Sequence, residues 1–382
     1  MDKFISSLVI PYIGITMENL RIMKAKQIVE NGGVKRINGV RYEVKSQSSN
    51  GVYTVLLTDK GWECNCPDHM NRGVTCKHAF AVKFSLGFRE EVEKSVVIEP
   101  VSTSNCIFCH SSEIVKMGIR KNKEFAIQRF KCKSCNRTFS LNIGFEKMKH
   151  NPKAITTAMQ LYFSGESLRN TMRALKLLGV QVSHQTIYNW IGKYTTLMND
   201  YLDKITPQVS DVWRTDEIFL KVRGNLTYLF SMMDDETRFW ISQMVADNKG
   251  TSDVRPMYQE AKRFAGKKPA VFISDGAANF HEAYKKEFYS NKQTTKHIRH
   301  IHLAGDKNNN KMERMNGEIR DREKVFRGLK TKDSPILKGY QLYHNYVRPH
   351  EALKGKTPAD ACGIEVQGND KWMTLIQNAS IN

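Results

Sequence analysis

The sequence predicts a multidomain protein, in which small cysteine-containing domains and a helix-turn-helix precede an α/β domain with a mixed five-stranded sheet. Three observations support this prediction. A chain of 382 residues is longer than one compact domain usually is. Two separate groups of closely spaced cysteines lie in its N-terminal part. Beyond residue 206, strand-like apolar runs are interspersed with helical patterns, which is typical of a sheet covered by helices.

The charge composition favours a nucleic-acid partner. Lysine and arginine number 59 against 39 aspartate and glutamate residues, which gives a formal net charge of +20 at pH 7. Basic side chains displace the counterions that condense on phosphates, so such an excess attracts polyanions. A basic surface that is merely solvated, or attracted to a membrane, is the alternative. The hydrophobic fraction of 40% excludes a disordered chain.

Sequence features also bear on location. No apolar run approaches the roughly 20 residues that span a bilayer, and the segment 1–14 lacks the cleavage site of a signal peptide. The spacing of the eight cysteines suits metal binding in a reducing compartment better than disulfides. Cys362 stands apart and is expected to be a small core or surface residue. We therefore expect a protein of the cytoplasm or nucleoid without a membrane partner.

Composition and turn signals divide the chain into five segments. A helical pattern at 17–31 and a β-hairpin from the apolar runs 40–44 and 52–57 open the first of them. The last segment gives no signal. The predicted boundaries are 1–97, 98–148, 149–200, 206–365 and 366–382.

The long segment 206–365 contains the predicted α/β domain. Three strands follow one another with short connections, and two further strands alternate with helices. The predicted strands are 212–222, 226–233, 238–245, 270–274 and 297–302. The predicted helices are 253–264, 279–288 and 311–327.

The first cysteine group predicts a structural zinc site with Cys64, Cys66, Cys76 and His78 as ligands. Zinc takes four thiolate or imidazole ligands in a tetrahedron, and a strand end and a helix start would supply them here as two close pairs. His69 lies in the spacer and could compete as a ligand. Buried free thiols beside a surface histidine are the other alternative. The motif resembles a SWIM-type zinc finger.

The second cysteine group predicts a zinc ribbon. Cys106 with Cys109, and Cys132 with Cys135, form two Cys-x-x-Cys pairs, each able to make a knuckle whose backbone amides hold the sulfurs. A redox dithiol is the alternative, against which two matched pairs argue. His110 is not expected to be a ligand. The spacer residues suited to contact nucleic acid are Arg120, Lys121, Lys123, Phe125, Arg129 and Phe130.

The third segment follows a helix-turn-helix pattern. Helical patterns at 152–163, 167–178 and 183–194 are separated by Gly165 and Gly179. An ordinary helical bundle that joins two domains is the alternative to DNA binding. The apolar positions of the third helix, expected to face the core, are Ile187, Trp190, Ile191 and Tyr194. Its outward positions, expected to contact DNA in the major groove, are His184, Gln185, Tyr188, Asn189 and Lys193.

Three acidic residues lie where a catalytic metal site needs them. Asp216 lies inside the first long strand, where a charge is costly unless it is used. Asp275 ends another strand and precedes a glycine, a position that faces a ligand crevice in α/β folds. Glu313 lies at the head of a basic helix. Because side chains alternate along a strand, Asp216 and Glu217 are expected on opposite faces, and only one of them can serve a given site.

Other charged residues nearby are expected to have different roles. The acids expected to be solvent-facing or salt-bridged are Asp234, Asp235 and Glu318. The basic residues expected to bind phosphate, for which a solvated helix face is the alternative, are Lys311, Arg314 and Arg320.

The order Asp216, Asp275 and Glu313, with 37 residues between the last two, resembles the DDE transposases of the retroviral-integrase superfamily. Asn316 and the segment 348–359 match the same group. The basic run 320–330 resembles insertion-sequence family six, particularly its archaeal members. The resemblance covers about residues 150–365, and many relatives lack the SWIM-like segment.

The resemblance implies an RNase H-like fold and a DNA transposase that cleaves transposon ends and joins them to target DNA. Asp216, Asp275 and Glu313 would hold two magnesium or manganese ions, roughly 3.5–4 Å apart, with Asp216 bridging both. The partner would be double-stranded DNA, and pairing two DNA ends would require a homodimer or a larger assembly. A DNA-binding regulator that has lost cleavage, and a nuclease without strand transfer, are the alternatives.

Overall fold

The structure is a computed structural model. It describes residues 17–37, 40–48, 51–59, 61–92, 96–102, 104–121, 125–140, 142–289, 295–299, 310–326 and 328–381. Two compact units divide the chain after Val92. Within the ranges just given, no helix is long and apolar enough to cross a membrane.

The first unit contains a four-stranded antiparallel sheet and three helices. Its elements are α1 (Met17–Glu30), β1 (Val34–Arg36), β2 (Arg41–Lys45), β3 (Val52–Thr58), β4 (Gly61–Cys64), α2 (Pro67–Arg72) and α3 (Lys77–Val92). The strands lie in the order β1-β2-β3-β4, and β2 and β3 confirm the predicted hairpin. Residues 49 and 50 of its turn lie outside the described residues. The core side chains are Ala25, Ile28, Tyr42, Val44, Val55, Ala79 and Val82.

The second unit begins with β5 (Val96–Ile98) and a three-stranded antiparallel ribbon. The ribbon strands are β6 (Ile114–Lys121), β7 (Ala126–Cys132) and β8 (Thr138–Ser140). β5 pairs in parallel with a strand near the C terminus, which ties residues 96–98 to the second unit. The division between the units therefore falls earlier than the boundary that the composition suggested at residue 97.

Three capped helices follow the ribbon: α4 (Pro152–Ser164), α5 (Leu168–Leu177) and α6 (His184–Leu202). The side chain of Asn151 accepts a hydrogen bond at the start of α4, and those of Ser167 and Ser183 do so for α5 and α6. These caps satisfy amides that lack a partner within the helix. α6 continues beyond the predicted end at residue 194, because buried Met198 and Leu202 extend its apolar stripe.

A mixed five-stranded sheet forms the centre of the second unit. Its elements are β9 (Val212–Val222), β10 (Asn225–Asp234), β11 (Trp240–Ala246), α7 (Thr251–Ala265), β12 (Val271–Ser274), α8 (Ala278–Glu287), β13 (Lys296–Arg299) and α9 (Asn310–Phe326). The strand order is β11-β10-β9-β12-β13, with β9 to β11 antiparallel and β12 and β13 parallel to β9. This topology confirms the predicted RNase H-like core. The end of the predicted strand 297–302 lies outside the described residues.

The C-terminal segment, for which no structure was predicted, forms a helix that packs into the core. The last elements are α10 (Pro335–Leu342), a π-helical turn (Tyr343–Val347), a 3-10 turn (Glu351–Leu353), α11 (Pro358–Ala361), β14 (Ile364–Val366) and α12 (Lys371–Ile381). β14 is the partner of β5. On α12, Trp372 is buried, stacks on Phe163 at 5.4 Å between ring centroids, and donates to Gln160 Oε1 at 2.9 Å. The last helix therefore holds α4 in place.

We predict that Trp372→Ala lowers the free energy of unfolding by about 3–5 kcal/mol, because it leaves a cavity against Phe163. Chemical denaturation of the full chain measures this change. Ile381→Ala on the same helix is the control, since Ile381 is 42% exposed and its truncation should cost far less. Equal losses in the two variants would contradict a core role for α12.

Candidate active site and metal centres

The sheet brings two of the three predicted catalytic acids together. β12 pairs in parallel with β9 as far as Arg214, so Asp275, just beyond the end of β12, lies level with Asp216. The carboxylates of Asp216, Glu217 and Asp275 each offer an oxygen within 4.8 Å of the others. We call these three residues the acidic cluster. The predicted convergence of Asp216 and Asp275 is thus present in the structure.

The position of the Glu217 carboxylate differs from the expected one. Its place next to Asp216 on a strand predicted that only one of the two could serve a site, yet both carboxylates approach Asp275. The separation expected of neighbouring side chains on a strand is therefore not seen here, and Asp275 lies just past the end of β12. The backbone amide of Glu217 also donates to Asp216 Oδ1 at 3.0 Å. In the sequence, the adjacency of Asp216 and Glu217 is the signal that could have indicated that both carboxylates lie near Asp275.

The third acid, Glu313, lies in the first turn of α9 and is exposed. It is not among the described carboxylates that lie within 4.8 Å of one another. One turn further along, buried Asn316 donates its Nδ2 to Asp216 Oδ2 at 2.8 Å. Positions three apart share a helix face, so this hydrogen bond directs the face that carries Glu313 toward the acidic cluster. Residues 301–309, which precede α9, lie outside the described residues.

Burial and mutual repulsion raise the pKa values of two acids of the acidic cluster. Burial raises the pKa of Asp216 to about 7, and the charges of Glu217, Asp275 and Glu313 add to the rise, against the Glu217 amide, which lowers it. Burial, followed by the charge of Asp275, also raises the pKa of Glu217. The buried Oε2 of Glu217 accepts no hydrogen bond from the described residues. Clustered hard oxygens of this kind are the ligands that magnesium and manganese prefer.

Ion pairs surround the acidic cluster. Asp235 pairs with Arg214, which lies two residues before Asp216 on β9, and with Lys311 at 3.0 Å. Lys311 also donates to the Asp235 carbonyl oxygen at 2.7 Å. Glu318 pairs with Arg348 at 2.5 Å. The prediction of salt bridges for Asp235 and Glu318 is therefore confirmed.

Asp234 is neither solvent-facing nor salt-bridged, contrary to prediction. It is fully buried and accepts hydrogen bonds from the Ser210 hydroxyl at 2.5 Å and from the amide and hydroxyl of Thr237 at 2.8 and 2.5 Å. These donors satisfy a carboxylate that burial would otherwise destabilise. A sequence in which Asp234 and Asp235 stand side by side does not reveal that one of them faces inward.

The predicted basic residues of α9 have different surroundings. Lys311 is engaged by Asp235, as described above, whereas Arg314 and Arg320 are exposed. The hydrogen bond and the ion pair between Lys311 and Asp235 attach the start of α9 to the residue that follows β10. Only the two arginines thus have the exposure that the predicted phosphate contacts require.

The third helix of the helix-turn-helix, α6, divides its faces as predicted. The four predicted core positions, Ile187, Trp190, Ile191 and Tyr194, are buried. His184, Gln185, Asn189 and Lys193 are exposed, and Gln185 donates to Asn189 Oδ1 at 3.0 Å. Tyr188 is half-buried, and the ammonium of Lys330 lies 5.1 Å from the centroid of its ring.

The first cysteine group forms a compact, buried set of ligand atoms. Cys64, Cys66, Cys76 and His78 each place one within 4.8 Å of the others. The Nδ1 atom of His78 lies 3.9 Å from the sulfurs of Cys64 and Cys76. His69 turns its Nδ1 to the Val74 carbonyl at 2.8 Å instead. Cys64 ends β4 and Cys76 immediately precedes α3, as the strand-end and helix-start interpretation predicted.

The second cysteine group lies at the base of the ribbon. The sulfurs of Cys106 and Cys135 are 3.6 Å apart, as are those of Cys109 and Cys132. Two thiolates on a tetrahedral zinc, each about 2.3 Å from the metal, lie about 3.8 Å apart. The amides of Phe108 and Cys135 point at Cys106 and Cys132 sulfurs at 3.4 and 3.5 Å, as expected of knuckles.

The remaining predictions on cysteine and its neighbours can be checked as well. All eight cysteines are free thiols. His110 has a positive φ of 57° and does not belong to the ligand group. Cys362 is buried and donates its thiol to the Thr237 hydroxyl at 3.1 Å, so it is a core residue. Lys123 of the ribbon spacer lies outside the described residues.

Comparison with known proteins agrees with the site. Residues 210–350 match a family model described as a DDE domain, of the IS240 transposase type. The chain is 24% identical over 215 residues to the transposase for insertion sequence-like element IS431mec of Staphylococcus aureus, a match that covers 55% of this chain and 92% of that protein. It is 31% identical over 85 residues to protein InsA of insertion element iso-IS1N from Shigella dysenteriae, covering 22% of this chain and 88% of InsA.

Among solved structures, the catalytic core domain of HTLV-2 integrase in complex with magnesium aligns at 19% identity with a TM-score of 0.32, over 41% of this chain and 98% of that one. The RNase H-like topology and the DDE domain define a DDE-type enzyme. Residues 210–350 therefore form a DDE transposase domain of the kind found in insertion elements.

We predict that Asp216→Asn stabilises the chain when no divalent cation is added. Folding raises the pKa of the Asp216 carboxyl from 3.8 to about 7. Between these two pH values, the folded chain therefore binds a proton that the unfolded chain releases. The free energy of unfolding therefore falls as pH rises toward 7 and stays low above it. Removing the charge should add on the order of 2 kcal/mol at pH 8 and about half of that at pH 5.5.

Urea denaturation at the two pH values measures this effect. Asp321→Asn is the matched control, because Asp321 is 75% exposed and paired only locally with Lys324 at 2.8 Å. A gain at pH 8 no larger than that of the control would show that Asp216 carries no buried charge.

Proposed function

We propose that this transposase cuts and joins DNA strands at the ends of its insertion element through Asp216, Asp275 and Glu313. The observation that carries the proposal is the approach of the Asp216 and Asp275 carboxylates to within 4.8 Å, where β12 ends beside β9. Asn316, on the helix that carries Glu313, bonds Asp216, and all three acids fall inside the matched DDE domain. Phosphodiester transfer needs charge neutralisation at such a point, where a phosphate has to approach acids.

Divalent magnesium or manganese fits these residues. The buried Oε2 of Glu217, which accepts no hydrogen bond from the described residues, and the raised pKa of Asp216, about 7, fit an oxygen cluster that binds a cation. Two bound ions would activate the attacking oxygen and stabilise the leaving oxygen. Asp216, the most enclosed of the three acids, would hold the ions together with Asp275 and Glu313.

The protein's own side chains hold this cluster in position. Asn316 and the Glu217 amide fix both oxygens of Asp216 in orientation. Lys311, bound to Asp235, holds the start of α9 two residues from Glu313. Fixed carboxylates reduce the reorganisation needed when charge moves during strand transfer. Water would be the first nucleophile, and the freed 3′-hydroxyl would then attack target DNA.

Double-stranded DNA is the proposed substrate, bound by two exposed basic or polar surfaces. On α9, the exposed Arg314 adjoins Glu313 and the exposed Arg320 lies about two turns further along, and both would contact the phosphates of the strand being cut. On α6, the exposed His184, Gln185, Asn189 and Lys193, with Tyr188 at their edge, would enter the major groove and recognise the element's ends. Two ends brought together would require at least two copies of the chain, acting on DNA in the nucleoid.

Zinc is the proposed structural ion of both cysteine groups. Four ligand atoms converge in each group, and the 3.6 Å sulfur separations are close to those of a zinc tetrahedron. The two sites would stabilise the SWIM-type finger and the ribbon, both of which have small hydrophobic cores. The ribbon's basic face would add DNA contacts.

Asp216→Asn and Glu313→Gln should each lower strand cleavage and joining by about 100-fold or more, because each removes a ligand of the proposed ions. DNA affinity in a gel shift should change by less than about threefold, since phosphate contacts and not these acids attract DNA. The assay uses magnesium and a linear duplex that carries the DNA segments flanking the element's coding sequence. Asp321→Asn serves as the control.

The products of the wild-type chain decide between functions. Joined strands support the transposase, nicks without joining indicate a nuclease, and a gel shift without either indicates a regulator. Normal joining by Asp216→Asn would refute the assigned acids.

The full chain, purified without chelator, should contain about two zinc ions. Cys66→Ser and Cys109→Ser should each lower this number to about one, because each removes a ligand of one group. Cys362→Ser is the control and should leave two, since Cys362 belongs to neither group of ligand atoms and donates its thiol to Thr237. Elemental analysis by mass spectrometry measures the ratio. A ratio that stays at two in either ligand variant would exclude zinc from that group.

A further inference from the structure

A row of aromatic side chains leads from the core to the surface beside the acidic cluster. Phe280 and Phe230 are fully buried, with ring centroids 6.0 Å apart. Tyr228 follows at 6.2 Å from Phe230 and is half-buried. Phe219 ends the row at 5.0 Å from Tyr228 and is 49% exposed. We call these four residues the aromatic row.

The aromatic row shares a face of the sheet with one member of the acidic cluster. Glu217, Phe219 and Lys221 alternate along β9, so their side chains lie on the same face. The register confirms this, because Glu217 pairs with Phe230 and Phe219 pairs with Tyr228. Two residues of a strand span about 7 Å, which is about two base steps of DNA. A strand whose phosphate lies at the cluster would therefore bring a nearby base to Phe219.

The rim of this surface is basic. Lys249 places its ammonium 5.9 Å from the centroid of the Tyr228 ring. Lys221 is exposed on the same face, opposite Leu226, which is 59% exposed. An isolated exposed phenylalanine would need no explanation, but Phe219 contacts Tyr228, and Leu226 shares their face of the sheet beside Lys221. Lysines suit phosphates and aromatic rings suit bases, so the combination is complementary to a nucleotide chain.

We propose that the aromatic row binds an unpaired nucleobase of the strand being processed, stacked on Phe219. The base is unpaired because a base inside a duplex has both its faces covered by neighbouring bases. Lys221 and Lys249 contact the phosphates on either side. This inference rests on the proposed function, since it takes the acidic cluster as the place where the strand is cut.

The test uses the full chain and a fluorescein-labelled 20-nucleotide oligothymidylate, without added divalent cation and at fixed salt. Phe219→Leu keeps an apolar side chain but removes the ring, and should weaken binding by at least about fivefold. Phe219→Trp restores a ring and should bind at least as tightly as wild type. Tyr289→Leu is the matched control, because Tyr289 is an aromatic residue of the same unit, 51% exposed, outside the aromatic row.

Unchanged affinity in Phe219→Leu would overturn the proposal. Sedimentation of each variant tests the competing occupant, a second copy of the chain. If Phe219→Leu lowers the oligomeric mass and leaves the affinity per chain unchanged, the surface is an interface between copies and the proposal is wrong. A wild-type chain that binds the oligonucleotide through Phe219 but never cuts DNA would refute the proposed function alone.

Discussion

Mutual repulsion among carboxylates is the constraint around which the second unit is built. Burial and three neighbouring acids raise the pKa of Asp216 to about 7, so the folded chain gives up stability in order to keep these groups together. Such a cost persists only where the surrounding structure enforces it. The long strand β9, the parallel strand β12 and the helix α9 provide that enforcement, since each contributes one part of the site and is anchored elsewhere in the core.

The anchoring of α9 is polar on one side and apolar on the other. Asn316 bonds Asp216, and Lys311 bonds Asp235, which in turn pairs with Arg214 on β9. These contacts link the helix to the strand on both sides of Glu313 along the chain. The apolar stripe of α9, buried against the sheet, resists rotation about the helix axis. Together they limit Glu313 to positions near the cluster while leaving its carboxylate exposed.

The sequence was sufficient where a periodic pattern or a fixed ligand spacing determines the structure. Strand β9 and both cysteine groups follow their patterns closely, because strand alternation and the close spacing of the four ligand residues in each group allow little choice. The sequence was insufficient where tertiary contacts determine the position of a side chain. The approach of Glu217 to Asp275 depends on where β12 ends, and the burial of Asp234 depends on Ser210 and Thr237. The apolar stripe of α12, Trp372, Leu375, Ile376 and Ala379, had helical spacing that could have been recognised.

The combination of a basic chain and an acidic cluster at the proposed reaction centre affects the order in which cation and DNA bind. The net charge of +20 draws DNA to the surface, but a phosphate that reaches the acidic cluster meets carboxylates of its own sign. A cation bound there removes that penalty, and a phosphate in turn supplies the cation with further oxygen ligands. Since coupling free energies are reciprocal, each partner raises the affinity of the other by the same factor. The charged groups therefore make the site selective for the complete assembly of cation and DNA over either one alone.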